Sequence, residues 1–165
     1  MCYINYGEIM YSNEIVCQIL DYIDQNITTK ISLIDISNYF FVNKFYISKL
    51  FKREIKTTIT TYINTLKIIN SLSDINNKHS ITSVSIRNGF QSLEYFSETF
   101  SKIIGVSPSI YQNFYHHRKI NSEKQIMILQ QNIINAQKLK KMAIDYRKNR
   151  KVTKIPNKKL SIFKN

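Results

Sequence analysis

The chain repeats itself once, and segments 48 to 49 residues apart carry apolar side chains at matching positions. The matching pairs are Ser32 and Ser80, Ile36 and Val84, Ile47 and Phe96, Phe51 and Phe100, and Tyr62 and Tyr111. Within each copy the apolar residues recur three and four positions apart, which predicts a short helix, a turn and a longer helix. Two copies are too few for a solenoid, which needs at least three stacked units. We therefore interpret the repeat as a duplicated helix-turn-helix unit.

Both copies carry residues that start and stop helices. Ser32 and Asn43 can cap the two helices of the first copy. In the second copy Gly89 suits a turn with positive φ, Ser92 can cap the longer helix, and Gly105 can end it. Only three Gly and two Pro occur, which is poor material for a β-rich fold with many turns. The sequence predicts an all-α fold.

Further apolar stripes predict helices around the two units. One covers residues 13–27, and Pro108, a residue favoured at the first helical position, begins another. The expected organisation is an N-terminal extension at 1–12, a domain at 13–118 and a tail at 119–165, with the first unit at about 32–55, a connecting helix at about 57–73 and the second unit at about 80–105.

The positive charge is concentrated at one end of the chain. Residues 1–117 carry a net charge of +1, whereas residues 118–165 carry +12 of the total of +13. Such a balance favours nucleic acid or an anionic surface as partner. The sequence has no run of about 18 apolar residues that could span a membrane, and its N-terminus lacks the apolar core of a secretory signal. We expect a cytoplasmic protein that does not bind membranes.

The reactive residue types do not form a catalytic or metal-binding pattern. Cys2 and Cys17 have no Cys or His at ligand spacing, which argues against zinc and a disulfide framework. Neither Ser48 nor Ser97 has a base positioned by local spacing, and there is no paired carboxylate motif or glycine-rich phosphate loop. We expect no enzyme activity, no cofactor and no metal.

The second copy contains a long and specific string of residues. In order, these are Ile81, Val84, Ser85, Gly89, Phe90, Tyr95, Phe96, Ser97, Phe100, Gly105, Ser107, Pro108 and Tyr111. The string resembles the signature of the DNA-binding domain of the AraC/XylS family of bacterial transcription regulators. The first copy is similar through the weaker segment 46–52, and the likeness runs from Glu14 to Phe114.

The resemblance implies two helix-turn-helix subdomains joined by a long helix, each with one recognition helix for a major groove of double-stranded DNA. The chain is most similar to small, monomeric members that have no separate sensor domain. By resemblance it is a transcription regulator, an activator that binds near a promoter and contacts RNA polymerase. The alternative is a non-catalytic protein-binding module, a repurposed member that acts on another regulator or on RNA polymerase.

The candidate DNA contacts lie on the two longer helices. They are Asn43, Lys44, Phe45, Ser48, Lys49, Lys52 and Arg53 in the first unit and Gln91, Ser92, Glu94, Ser97, Glu98 and Lys102 in the second. Lys49 could donate to guanine and Phe45 could touch a thymine methyl group. Alternatively, the lysines form a solvated helix face and Phe45 is buried beside the turn. Because Glu94 and Glu98 oppose the DNA charge, we expect the first unit to dominate affinity.

The sequence departs from the family at several positions. Lys56 stands where a glycine is usual after the first recognition helix, and Lys67 stands where the connecting helix usually has an arginine. Glu98 occupies a position usually held by arginine, and Ser101 one often held by lysine.

The tail can form an amphipathic helix over residues 119–148. It could bind phosphates, or use its apolar stripe to dimerise or to grip a protein partner. It could also remain a partly disordered appendage. A helix on a membrane surface is a fourth interpretation, disfavoured because large interfacial aromatic residues are missing.

Overall fold

The computed structural model describes residues 6–77, 79–117 and 123–149, and these residues form helices and no strands. The helices are α1 (Tyr6–Asn26), α2 (Leu33–Phe40), α3 (Lys44–Ile55), α4 (Ile59–Asn76), α5 (Ile81–Arg87), α6 (Leu93–Ile104), α7 (Pro108–His117) and α8 (Glu123–Lys148). The prediction of an all-α fold is confirmed. The two units correspond to α2–α3 and α5–α6, and α4 joins them.

Side-chain caps set the helix starts where the sequence predicts them. Ser32 and Asp35 form a capping box before α2, because the Ser32 hydroxyl accepts from the Asp35 N–H and the Asp35 carboxylate accepts from the Ser32 N–H. The Asn43 side chain accepts from the N–H of Phe45 at 2.8 Å and starts α3. Helix α6 ends at Gly105, which has a φ of 92°, a left-handed conformation that glycine adopts without strain.

Two apolar cores lie side by side and share α4. The first core contains Ile19 and Ile23 of α1 together with Ile47 and Phe51 of α3. The second core surrounds Phe96, Phe100 and Tyr111. Helix α4 contributes Tyr62, Ile63 and Leu66 to the first core and Ile68, Leu72 and Ile75 to the second. Because one rigid helix belongs to both cores, the two units have a fixed relative position.

Helix α8 packs against both cores and is part of the folded body. Leu129 is buried in the second core and Ala143 in the first. The Asn132 amide donates to the carbonyl oxygen of Ile104 at 3.0 Å. Near the other end, the Arg147 guanidinium lies 2.7 Å from the carboxylate of Asp24. Over residues 123–148 the helical prediction for the tail is confirmed, and the alternative in which the tail is a partly disordered appendage is wrong there, because the apolar stripe of α8 packs against α4 and α6.

Some element ends differ from the sequence-based expectations. Helix α1 begins at Tyr6, inside the segment expected to be an N-terminal extension, and α4 ends at Asn76, three residues later than expected. Ile75 is buried in the second core, which explains the extra turn of α4. The remainder of the expected extension, residues 1–5, and tail residues 119–122 and 150–165 lie outside the described residues.

Candidate nucleic-acid interface

Helix α3 presents a basic face to solvent because its apolar side is used by the first core. Four residues on that side are buried, namely Ile47, Leu50, Phe51 and Ile55. The opposite side carries the residues predicted to contact DNA: Lys44, Phe45, Lys49, Lys52 and Arg53 are exposed, and Ser48 is half-buried. The Arg53 side chain also lies 2.8 Å from the Glu54 carboxylate, which offsets part of its charge. The face as a whole can therefore approach an anionic surface.

Phe45 is exposed at the start of α3. Its relative exposure is 67%, so the alternative in which it is buried beside the turn is wrong. The Lys44 ammonium lies 5.2 Å from the centre of its ring, within the range of a cation–π contact. A large apolar ring held at the surface next to three lysines can contact the apolar edge of a base.

Phe41 lies in the turn between α2 and α3 and is not among the DNA contacts predicted from the sequence. It is 82% exposed and adopts a left-handed φ of 52° at the end of α2. The signal in the sequence is the run Tyr39-Phe40-Phe41 before the turn. Only Phe40 of this run is buried, against the ring of Tyr22. An exposed aromatic ring next to the recognition helix adds to the apolar surface that Phe45 offers.

Two of the predicted DNA contacts have structural roles as helix caps. The Asn43 side chain caps α3, and the Ser92 hydroxyl accepts from the N–H of Tyr95 at 3.1 Å to cap α6. Both side chains are exposed, and the amide N–H groups of Asn43 are not used by its cap. Their contact with DNA stays a prediction.

Helix α6 presents an acidic and polar face. Gln91, Glu94, Glu98 and Lys102 are exposed, and Ser97 is half-buried. A hydrogen bond from its own backbone N–H, and then one with the Ser92 side chain, lower the pKa of the Glu94 carboxyl. Glu94 is therefore ionised at neutral pH. This face repels phosphate groups but could accept a hydrogen bond from cytosine N4.

Tyr95 is not part of the buried stripe of α6, where the sequence pattern places it. It is 42% exposed, and its hydroxyl accepts a 2.7 Å hydrogen bond from the Asn64 amide of α4. The stripe that is buried consists of Phe96, Thr99, Phe100 and Ile104. Tyr95 instead faces the first unit across a cleft, because position 95 lies at the edge of the apolar stripe where a phenol can keep its hydroxyl hydrated.

The repeat places unlike residues at equivalent positions of α3 and α6. Phe45 of α3 corresponds to Glu94 of α6, and Lys49 corresponds to Glu98. Helix α8 lies beside the C-terminal ends of both helices, where the Tyr146 hydroxyl donates to Glu54 and Asn132 donates to Ile104. The N-terminal turns and the outer faces of α3 and α6 stay open.

Lys67 of α4 connects the two units. Its ammonium donates to the carbonyl oxygen of Thr29, before α2, at 2.7 Å and to that of Gly89, before α6, at 2.6 Å. It also lies 5.5 Å from the centre of the Phe90 ring. Burial lowers the pKa of Lys67 to about 8. A Cβ atom at Gly89 would overlap the carbonyl oxygen of Thr29, so the two loops are in direct contact.

Residues 36–113 match the model of a family described as a helix-turn-helix domain. The transcriptional regulatory protein HptR of Staphylococcus aureus strain NCTC 8325 is 30% identical over 104 residues, which are 63% of this chain and 41% of HptR. This chain therefore spans less than half the length of that relative.

Solved structures share the fold. The C-terminal domain of AraT, a response regulator from Geobacillus stearothermophilus, superposes with a TM-score of 0.58 at 22% identity, covering 66% of this chain and 88% of that domain. A transcriptional regulator with an AraC-type DNA-binding domain from Chromobacterium violaceum gives a TM-score of 0.55 at 22% identity, covering 68% and 98%. Both comparisons show a shared all-helical fold.

These findings agree on the class of protein. The matched family is described as a helix-turn-helix domain, and the matched relative is named a transcriptional regulatory protein. Within the described ranges no helix is long and apolar enough to cross a membrane, and no group of three or more His, Cys, Asp or Glu could hold a metal ion. Over residues 36–113 the chain is therefore similar to a family of helix-turn-helix domains, and it shares its fold with the AraC-type domains named above.

Proposed function

We propose that the chain is a sequence-specific regulator, acting as an activator, in which α3 provides most of the affinity for promoter DNA. The observation that carries this proposal is the exposed face of α3, which presents Lys44, Lys49 and Lys52 together with the ring of Phe45. Lysines neutralise phosphates and can donate to guanine, and an apolar ring suits a thymine methyl group. The outer face of α6 offers Glu94 and Glu98 instead, so we expect it to add little affinity.

The chain binds DNA as a monomer in this proposal. One chain already supplies two recognition helices, which is what a dimer of single helix-turn-helix proteins supplies to two half-sites. The buried stripe of α8, which could otherwise serve as a dimer seam, is occupied by the chain's own cores through Leu129 and Ala143. Contact with RNA polymerase follows from the activator role and belongs to the same proposal.

A second candidate function has one observation in its favour. Glu94 and Glu98 are both exposed on the helix that would enter the second major groove. An acidic helix face suits a basic protein surface better than it suits phosphates. In this alternative the chain is a repurposed family member that binds another regulator or RNA polymerase.

In-vitro selection from random DNA duplexes distinguishes the two functions. It should be run with the full chain and with a chain that ends at residue 149, because removing α8 would also expose both cores. The regulator proposal predicts an enriched site with two parts about one helical turn apart from centre to centre. It also predicts that the part contacted by α3 is the more strongly enriched. If neither chain enriches any sequence, the proposal should be replaced by the protein-binding alternative.

A further inference from the structure

A cleft of about 490 Å³ lies between the two helix-turn-helix units. Helix α4 lines its floor, and the segments before α2 and before α6 line its two walls. The apolar part of the lining comes from Ile31, Ile63 and Phe90. The charged lining residues within the described part of the chain are Lys30 and Lys67, and no carboxylate lines the cleft. The cleft therefore combines an apolar surface with positive charge.

Lys67 supplies a cation that is well shielded from water. The side chain is 4% exposed, and two of the three N–H groups of its ammonium bind the carbonyl oxygens of Thr29 and Gly89. Within the part of the chain that the structure describes, the third N–H of the Lys67 ammonium has no hydrogen-bond acceptor. A desolvated charge attracts an opposite charge more strongly than a hydrated one, because the local dielectric is lower.

We propose that this cleft binds a small organic anion, whose carboxylate, sulfonate or phosphate group lies next to Lys67 and Lys30 and whose apolar part lies against Ile31, Ile63 and Phe90. The volume lies within the range of about 300–1,000 Å³ that is usual for small-molecule sites. Because residues of both units line the cleft, a bound anion contacts both units at once. The site is separate from the proposed contacts of α3 with DNA.

The experiment uses two fluorescent probes with nearly the same apolar body. 1-Anilinonaphthalene-8-sulfonate carries a sulfonate, and N-phenyl-1-naphthylamine lacks it. Titration of the full chain should show one site, with the sulfonate probe bound about tenfold more tightly than the neutral one. Lys67→Met should remove this preference, whereas Lys138→Met, which changes an exposed lysine of α8, should leave it unchanged.

A second variant blocks the cleft and keeps the ammonium in place. Thr60 is an exposed residue of α4 that lines the cleft, whereas its exposed neighbour Thr61 does not. Thr60→Trp should fill the cleft and weaken the sulfonate probe at least about tenfold, and Thr61→Trp is the matched control. Melting followed by circular dichroism confirms that both variants are folded.

Three results would overturn the proposal. The first is equal affinity for the two probes in the wild-type chain. The second is binding of the sulfonate probe that Thr60→Trp does not change. The third is displacement of the sulfonate probe by a DNA duplex in a one-to-one ratio. The cleft would then bind the phosphate backbone of DNA and not a small anion. None of these results depends on whether α3 binds a specific sequence.

Discussion

The ammonium of Lys67 donates a 2.6 Å hydrogen bond to the carbonyl oxygen of Gly89, in the turn that precedes α6. The same nitrogen binds Thr29, in the loop that precedes the first unit. One side chain of the connecting helix thus joins the loops of both units. Since α4 also contributes to both cores, the separation of the recognition helices is set by packing inside the chain.

Replacing Lys67 by methionine should destabilise the fold and loosen the contact between the units. Met keeps much of the apolar volume but leaves the carbonyl oxygens of Thr29 and Gly89 without a charged donor, which costs about 1.5–3 kcal/mol. Urea unfolding measures the loss. Lys67→Arg, which restores a cation at this position, should retain more of the stability than Lys67→Met. Equal stability of the wild type and Lys67→Met would show that the two hydrogen bonds contribute nothing.

The stability contributed by Lys67 should depend on pH. Its pKa in the folded chain is about 8, below the ordinary value of 10.5, because the ammonium is buried. Between these two values the unfolded chain holds a proton that the folded chain has released, so stability rises with pH. From about pH 8 upward the free energy of unfolding of the wild type should rise relative to that of Lys67→Met, with a slope approaching about 1.4 kcal/mol per pH unit. A difference between the two chains that stays constant from about pH 7 to about pH 10 would contradict this expectation.

Lys56→Gly should stabilise the chain. Lys56 ends α3 with a φ of 64°, a left-handed conformation that is strained for a side chain with a Cβ atom. Relief of about 1–2 kcal/mol of strain exceeds the cost of about 0.4–1 kcal/mol that glycine adds through the unfolded chain. The expected net gain is about 0.5–1 kcal/mol by thermal unfolding. Lys56→Ala is the control, because it removes the same charge and keeps the strain; a gain of the same size in both variants would contradict the explanation.

Leu129→Ala should show that α8 is part of the folded body. Leu129 is 2% exposed and packs into the second core, so its truncation should cost about 2–5 kcal/mol. Ile134 lies on the same helix and is 55% exposed, so Ile134→Ala should change stability by no more than about 0.5 kcal/mol. Urea unfolding of the two variants makes the comparison. Small and equal losses would mean that α8 is a dispensable appendage.

The duplicated unit and its helix ends could be predicted from the sequence because their signals are local. Ser32, Asn43 and Ser92 cap helices at the predicted positions, and Gly89 and Gly105 have positive φ. Such signals depend on the backbone groups within a few residues, so no knowledge of the tertiary fold is needed.

The packing of α8 could not be predicted in the same way. A stripe with Leu129, Ala136 and Ala143 fits a second chain, a protein partner or the chain's own core equally well. The partner of this stripe is determined by the space left between α4 and α6, which depends on the tertiary fold. The burial of Phe45 was left open and that of Tyr95 was predicted wrongly for a related reason. An aromatic residue at the edge of an apolar helical stripe can lie either in the core or at the surface.

The most direct test of the account compares Lys49→Ala with Glu98→Ala, since these residues occupy equivalent positions of the two recognition helices. Binding to a selected duplex should be measured at several salt concentrations. Lys49→Ala should lose about 1–3 kcal/mol, or about 5- to 150-fold in Kd. Glu98→Ala should bind equally well or more tightly, because it removes a negative charge beside the phosphates. Intact specific binding by Lys49→Ala together with loss of binding by Glu98→Ala would contradict the account.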